Sequence, residues 1–429
     1  MELSSNRHDA DAQSPSIVIT GTGVITAAGA GVGRLFDSML AHSNPFDSLE
    51  NEGANQFKQP WPVAKVAPAD SVWPDHDPWW VNNLKFANLS ARWAVSAAGL
   101  ALEATGQIEQ GGAERSGVIM AVPSGEEEGV KIIPKLAAIA QTDSRPLATV
   151  LYEEVPDYSY VRGIPSQTGQ FIAKLTGYLG SNVAVFGEAG AGGLSAASLA
   201  LRLIKSGELD RVIVVGVAPP LSPATLASLD RHDGFAAKAV AGSGPFDRAR
   251  AGTLLGQGAA AVVFERNDVA ARRGVKPLAG IAACETACGA TVEKSVESAL
   301  NFALTTGGSD IDLWFSHAAG SPVLDRIQCE VIAPAVAKAS ATSSKGSIGL
   351  AFECAGLIDL ALAVESLRRK TVPPVGLLRD PDPTLGGIDF VVNSAKAIPA
   401  AKAALVTSMT PSSGATGAAG AAIVTQIED

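Results

Sequence analysis

Cysteine is scarce in this chain: four residues, Cys284, Cys288, Cys329 and Cys354, among 429. That is too few for a disulfide framework at this length, and the Cys284/Cys288 pair has no histidine or second cysteine pair nearby to complete a zinc site. The four read as small buried residues in a reducing cytosol. Basic runs are also missing. With a net charge of −10 and no Lys/Arg stripe to follow a phosphate backbone, the chain is not expected to bind nucleic acid. No window reaches 18 unbroken apolar residues, which argues against a membrane-spanning helix, and the opening MELSSNRHDADAQS is polar and acid-bearing, unlike a secretory signal. A cytoplasmic protein with a loose N-terminus over residues 1–15 is the expectation.

What is present is ordinary globular material, 47% apolar and 18% charged, enough for one large or two medium cores. Strands and helices alternate. SIVITGTGV (16–24) is a β-branched run, LSARWAVSAAGLALEATG (89–106) has helical spacing with a glycine stop, and SGVIMAVPSG (116–125) and DRVIVVGVA (210–218) read as buried strands of a parallel sheet. The second half repeats the plan: DIDLWFSHAAGS (310–321) is a strand and turn, AGLIDLALAVESLRRK (355–370) a helix, KAALVTSMT (402–410) a strand. The joint between the halves is expected near 266–276, in the charged run ERNDVAARRGV. Trp61, Trp73, Trp79 and Trp80 cluster in a proline-rich stretch that reads as a long surface loop pinned by aromatic anchors.

The segment AVFGEAGAGGLSAASLALRLIKS (184–206) holds the central puzzle. An apolar strand enters a glycine turn that opens a helix, the usual way to present a nucleophile where backbone N–H groups and the helix dipole favour an anion. No nucleophile stands there. Within the helix, Ser195, Ser198, Arg202 and Lys205 recur at steps of three and four, which predicts one wet face. Nucleotide binding has little support: GTGVIT (21–26) lacks the third glycine of a dinucleotide loop, and GEAGAGG (187–193) lacks the Lys and Ser/Thr of a P-loop. Gly21 and Gly23 read instead as positions where the strand lies tight against a neighbour.

The stretch GSGPFDRARAGTLLGQGAAAVVFERNDVAARRGVKPLAGI (242–281) resembles the β-ketoacyl-acyl carrier protein synthases of the thiolase superfamily. SIVITGTGVITAAGAGV is similar to their first strand and loop, SHAAGSPVLDRIQCEVI (316–332) to the segment holding their first active-site histidine, and SSKGSIGLAFECAGLIDLALA (343–363) to the lysine-to-second-histidine segment. The resemblance covers nearly all of residues 16 to 427 in order. It implies an α/β, thiolase-like fold of two similar halves in a five-layered αβαβα arrangement, with a ketosynthase-like half over 16–266 and a second over 267–429. It implies no cofactor and no metal.

In that family a cysteine thiolate at the elbow accepts the acyl chain, and two histidines assist decarboxylation and stabilise the oxyanion. Carried over by position, the nucleophile falls on Gly190 and the second histidine on Leu350, while His317, Asp325 and Lys345 are retained. The acid three residues beyond the aspartate becomes Gln328, leaving the lysine without its usual partner, and the gate region TPSSGATGAAG (410–420) lacks its phenylalanine. Groups that act as a unit fail together, so ketosynthase activity is not expected of this chain alone. His317 reads as a relic hydrogen-bonded to Asp325 or Lys345, more than as surviving chemistry.

AGAGGLSA resembles the matching segment of chain-length factors, the β subunits of type II polyketide synthases, although there the cysteine is commonly replaced by glutamine. The implied partners are an active ketosynthase in a heterodimer and, through it, an acyl carrier protein, with no membrane involved. The strand SNVAVFG (181–187) is the expected dimer edge. EEEGVKIIPKLAAIAQ (126–141) reads as a helix with an apolar stripe, and the resemblance places it at the dimer interface, where Ile132, Ile133 and Leu136 are candidates to close the acyl tunnel. Two other readings stay open at this point: an enzyme of altered chemistry, such as a decarboxylase or acyltransferase using His317 without a covalent intermediate, and a purely structural partner of a synthase.

Overall fold

Two sets of five strands are laid down in the same order along the chain. The computed structural model describes residues 16–48, 62–103, 105, 112–123, 136, 139, 145–155, 158–186, 189–221, 243–410 and 417–427. The first set is Ile17–Thr26 (β1), Ser116–Val122 (β2), Asn182–Phe186 (β3), Arg211–Val217 (β4) and Gly258–Arg266 (β5), arranged in space as β3-β2-β4-β5-β1. The second is Ala279–Gly289 (β6), Leu313–Phe315 (β7), Ser340–Thr342 (β8), Ala403–Met409 (β10) and Gly417–Thr425 (β11), arranged as β8-β7-β10-β11-β6, with the short Asp389–Phe390 (β9) added outside β8. In each set the middle strands pair in parallel and the last and first join antiparallel. The halves share one ladder through two residue pairs, Val18 with Gly280 and Ile19 with Ala279.

The helices divide by the face they cover. Leu89–Glu103 (α1) and Pro165–Thr176 (α2) lie on the outer face of the first half-sheet; Val292–Gly307 (α4) lies on the outer face of the second and carries Pro322–Ile332 (α5). Gly192–Lys205 (α3) and Ala355–Arg369 (α6) lie between the half-sheets, each packing on strands of both. The result is the layered αβαβα order, and the buried apolar side chains fall into three clusters to match: one under α1 and α2, one under α4 and α5, and a central one around α3 and α6.

Sequence explains these placements. From Ala355 to Leu367 helix α6 is apolar on every side apart from Asp359, Glu365 and Ser366, and every residue of that span is buried, as a helix enclosed by two sheets must be. Strands β2 and β4 are buried along their full length, so they read as continuous apolar runs instead of alternating ones. Gly21 and Gly23 are required by α1 itself: a Cβ on either would come within 2.1 Å of a carbonyl oxygen, that of Ala101 or Ala97.

Three expectations need correction. Of the expected wet face of α3, Arg202 and Lys205 in its last turn are exposed and Ser195 is half-buried, but Ser198 is buried, on a helix that packs against strands of both half-sheets. Cys288 is exposed, near the end of β6, while Cys284, Cys329 and Cys354 are buried. The tryptophan region is more ordered than a loop. Trp80 sits buried on the short helix Pro78–Asn83, and Trp73, Trp79 and Phe171 meet it edge-on or tilted, which seals the outer core; Trp61 lies outside the described residues.

Candidate functional site

Both inner helices begin the same way. A 3-10 turn, Ala189–Ala191 before α3 and Phe352–Cys354 before α6, bends the chain sharply, and its first residue is held at positive φ, 41° at Ala189 and 45° at Phe352. Such a backbone costs on the order of 1–3 kcal/mol at a residue with a side chain and persists only where the surroundings impose it. The two turns pack against each other in the central layer. The elbow read from the sequence is therefore one of a pair.

Gly190 is the middle residue of the first turn, and it is buried. Its φ is not left-handed, so glycine is required here by space. A Cβ at this position would stand 2.4 Å from Cε1 and 3.0 Å from Nε2 of His317, and 2.4 Å from the carbonyl oxygen of Met409. The histidine ring occupies the room a nucleophilic side chain would need. A cysteine would have to displace both the ring and a backbone carbonyl of β10.

His317 follows β7 and is 2% exposed. Burial holds its pKa well below the ordinary imidazole value, and the nearby Lys345 ammonium lowers it further, so the ring is neutral. Its Nδ1 has no hydrogen-bond partner, which corrects the expectation of a relic tied to Asp325 or Lys345. Asp325, in the first turn of α5, instead accepts from the backbone N–H groups of Phe246, Ala319 and Gly320 at 3.2, 3.1 and 3.2 Å, with the Arg250 guanidinium 3.9 Å away. Burial still pushes its carboxyl up to about 6. Its role is to hold the loop that carries His317.

Lys345 has a partner that the sequence reading missed. Its Nζ meets the carboxylate of Asp359, about one turn beyond the 352–354 bend in α6, and donates at 3.1 Å to the carbonyl of Ser316. Ser344 Oγ donates to the same aspartate at 2.6 Å. Burial raises the Asp359 pKa while Lys345 and Ser344 act against it. The signal was a lone acid inside the apolar run AGLIDLALA. Gln328, expected to leave the lysine unpaired, bonds Ser316 Oγ. Lys345 thus ties the histidine loop to the second inner helix.

Leu350 is 1% exposed and belongs to the central apolar cluster; its backbone bridges to Leu254 and Gly256 at 2.8 and 3.0 Å. The structure thus brings Gly190 and His317 into contact, places Lys345 and Asp325 behind the histidine, and gives Leu350 to the core. Of the tunnel candidates, Leu136 is half-buried in a helix, while Ile132 and Ile133 lie outside the described residues, as does most of the 410–420 gate.

The chain matches the family described as Beta-ketoacyl synthase, N-terminal domain, over residues 14–270, and the C-terminal domain of the same family over residues 282–378. It is similar to both subunits of one pair from Streptomyces glaucescens. It is 26% identical over 404 residues to the tetracenomycin polyketide synthase ketoacyl synthase alpha subunit, covering 89% of this chain and 91% of the relative. To the beta subunit it is 28% identical over 408 residues, covering 88% and 91%. Among solved structures it is similar to the ishigamide ketosynthase/chain length factor, with a TM-score of 0.81 and 22% identity, covering 97% of this chain and all of that one.

Proposed function

Since the chain belongs to the β-ketoacyl synthase family, we propose that it is a non-elongating, chain-length-factor-like subunit of a type II polyketide synthase, paired with an active ketosynthase. The observation that carries this reading is the filled elbow. Gly190 has no side chain to acylate, and His317 with the Met409 carbonyl closes the space one would use. Overall identity does not separate the two subunit types, at 26% and 28%. The reading rests on the elbow instead.

Two features support a partner. Strand β3 ends the sheet, paired on one side with β2 and with no strand on its other edge among the described residues. An open edge invites pairing with a second chain. Of the large apolar side chains left exposed, Leu147, Tyr152, Ile164 and Leu179 fall on the segments leading to that edge, and Tyr152 and Leu179 are 85% and 70% exposed. Exposed apolar side chains on the segments flanking an open edge suit an obligate interface, on the order of 2,000 Å² or more. The segment 126–141, with Ile132, Ile133 and Leu136, is then the part that shapes the acyl tunnel, and the acyl carrier protein is met through the ketosynthase.

Co-expression with a cysteine-bearing ketosynthase tests the proposal. A single heterodimer by size exclusion is expected, with no acyl adduct on this chain by intact-protein mass spectrometry and condensation dependent on the partner. A well-behaved isolated chain that extends malonyl units alone would overturn it.

A further inference from the structure

A cavity of about 270 Å³ opens on the outer face of the first half-sheet, and the sheet separates it from the elbow helix α3. Helix α1 forms its floor. Ser96, Gly99, Leu100 and Glu103 recur there at steps of three and four, which puts them on one stripe of the helix, and Ile25 of β1, Val72 and Leu175 of α2 supply the walls. Val72 N–H donates to Ser96 Oγ at 2.8 Å, which pins the 70–74 segment to α1, and the Val72 side chain, 67% exposed, forms the outer lip. The walls are thus held apart from one another by the fold itself.

Gly99 is the residue that packing does not explain. Glycine is among the poorest helix formers, yet it stands in the interior of this 15-residue helix. Gly21 and Gly23 are demanded by close contact with α1, whereas a Cβ on Gly99 would meet nothing within 4 Å, and its φ is not left-handed. What the missing side chain does is leave the trough open. A cavity of about 150 Å³ lined by aliphatic and aromatic side chains is large enough for benzene, so this one has room for roughly two fused rings or a chain of about ten carbons. Its interior is apolar and its rim acidic. Asp70 and Glu103 are the only ionisable side chains that line it. Asp70 is shared with the exposed Arg34 guanidinium at 3.4 Å, and no ion pair engages Glu103 among the described residues. An apolar trough with two carboxylates at its mouth complements an apolar body that carries a cation, and it disfavours an anion.

We propose that this cavity binds a small primary amine with an apolar body, the rings or chain lying in the trough over Gly99 and the ammonium donating to the carboxylates of Asp70 and Glu103. An ammonium offers three donors and no acceptor, which suits a rim made of two acceptor-only groups. The inference stands apart from the subunit reading, because neither the elbow nor the β3 edge lines the cavity.

The test titrates the full-length chain by calorimetry with three probes that share one bicyclic body: 2-(1-naphthyl)ethylamine, 2-(1-naphthyl)ethanol and 1-naphthylacetate. At low ionic strength the amine should bind about three- to tenfold more tightly than the alcohol, the worth of a charge-assisted hydrogen bond at a partly exposed rim, and the acid should bind most weakly. Asp70→Asn with Glu103→Gln should bring the amine down to the level of the alcohol. Gly99→Leu fills the trough from the helix and improves helix propensity, so it should abolish binding of all three probes while the melting temperature holds or rises. If Gly99→Leu does not fold, Gly99→Ala decides: its added methyl should weaken all three probes and leave the ratio of amine to alcohol unchanged. Equal binding of amine and alcohol by the parent would overturn the proposal, as would amine binding that Gly99→Leu or Gly99→Ala leaves untouched. No binding of the amine up to millimolar concentration would overturn it as well.

Discussion

The two inner turns differ in content far more than in backbone. Ala189–Ala191 and Phe352–Cys354 make the same bend, each begins at positive φ, and each opens a helix enclosed by both half-sheets. The first is stripped to Ala-Gly-Ala and filled from outside by His317. The second is bulky, Phe-Glu-Cys, and fills itself. The comparison teaches that the bend does not depend on what its middle residue carries: the same strained geometry opens a helix over a glycine in one half and over a glutamate in the other.

The sharpest way to break the second turn's support is Lys345→Ala, which strands Asp359 as a buried charge. A loss of about 3–5 kcal/mol by denaturant unfolding is expected, with most of it recovered in Lys345→Met/Asp359→Leu. Recovery failing in the double variant would mean the pair does more than neutralise itself. Next comes filling the first turn. Gly190→Cys should cost about 1–3 kcal/mol, since its Cβ meets the Met409 carbonyl and the His317 ring, and it should restore no condensation with malonyl thioester. An acylated, condensing variant would show that the ring yields freely.

Ionisation separates the two turns more gently. The folded-state pKa of Glu353 lies above its unfolded value, so its contribution to stability is fully present below about 4.5 and is lost as pH rises through about 7. Glu353→Gln should escape that loss and exceed the parent by on the order of 2 kcal/mol at pH 8, shrinking toward pH 5. Asp325, raised to about 6, titrates in the same window in both proteins, so the difference between them is the readout. The smallest effect concerns the tunnel. Leu136 is half-buried, and Leu136→Ala should cost less than about 2 kcal/mol while shifting the partnered complex toward longer products. An unchanged length distribution in this variant and in Ile132→Ala and Ile133→Ala would favour a purely structural subunit.

Much of this was legible in the residues. The alternation of strands and helices, the doubled plan and the empty elbow follow from periodicity, glycine placement and one missing side chain. The partner of Lys345 was not, because Asp359 lies fourteen positions on, and only the bend at 352–354 returns it to the lysine. Ser198 misled for a related reason: helical spacing identifies a polar face but not whether a second sheet will cover it. The ring in the elbow was invisible too. The family resemblance placed His317 at the site of residue 190 without revealing that it would occupy the vacated volume.

The two half-sheets are joined by two residue pairs, yet α3 and α6 each lie on both. Repetition of plan here does not bring autonomy. Cut within the short helix Asn267–Arg272, the chain would yield pieces that each carry one inner helix with half its apolar surface bare, so neither should fold alone and the two should complement one another when mixed. In native-state hydrogen exchange the amides of α3 and α6 should report the same opening energy, as members of a single cooperative unit that spans the duplication.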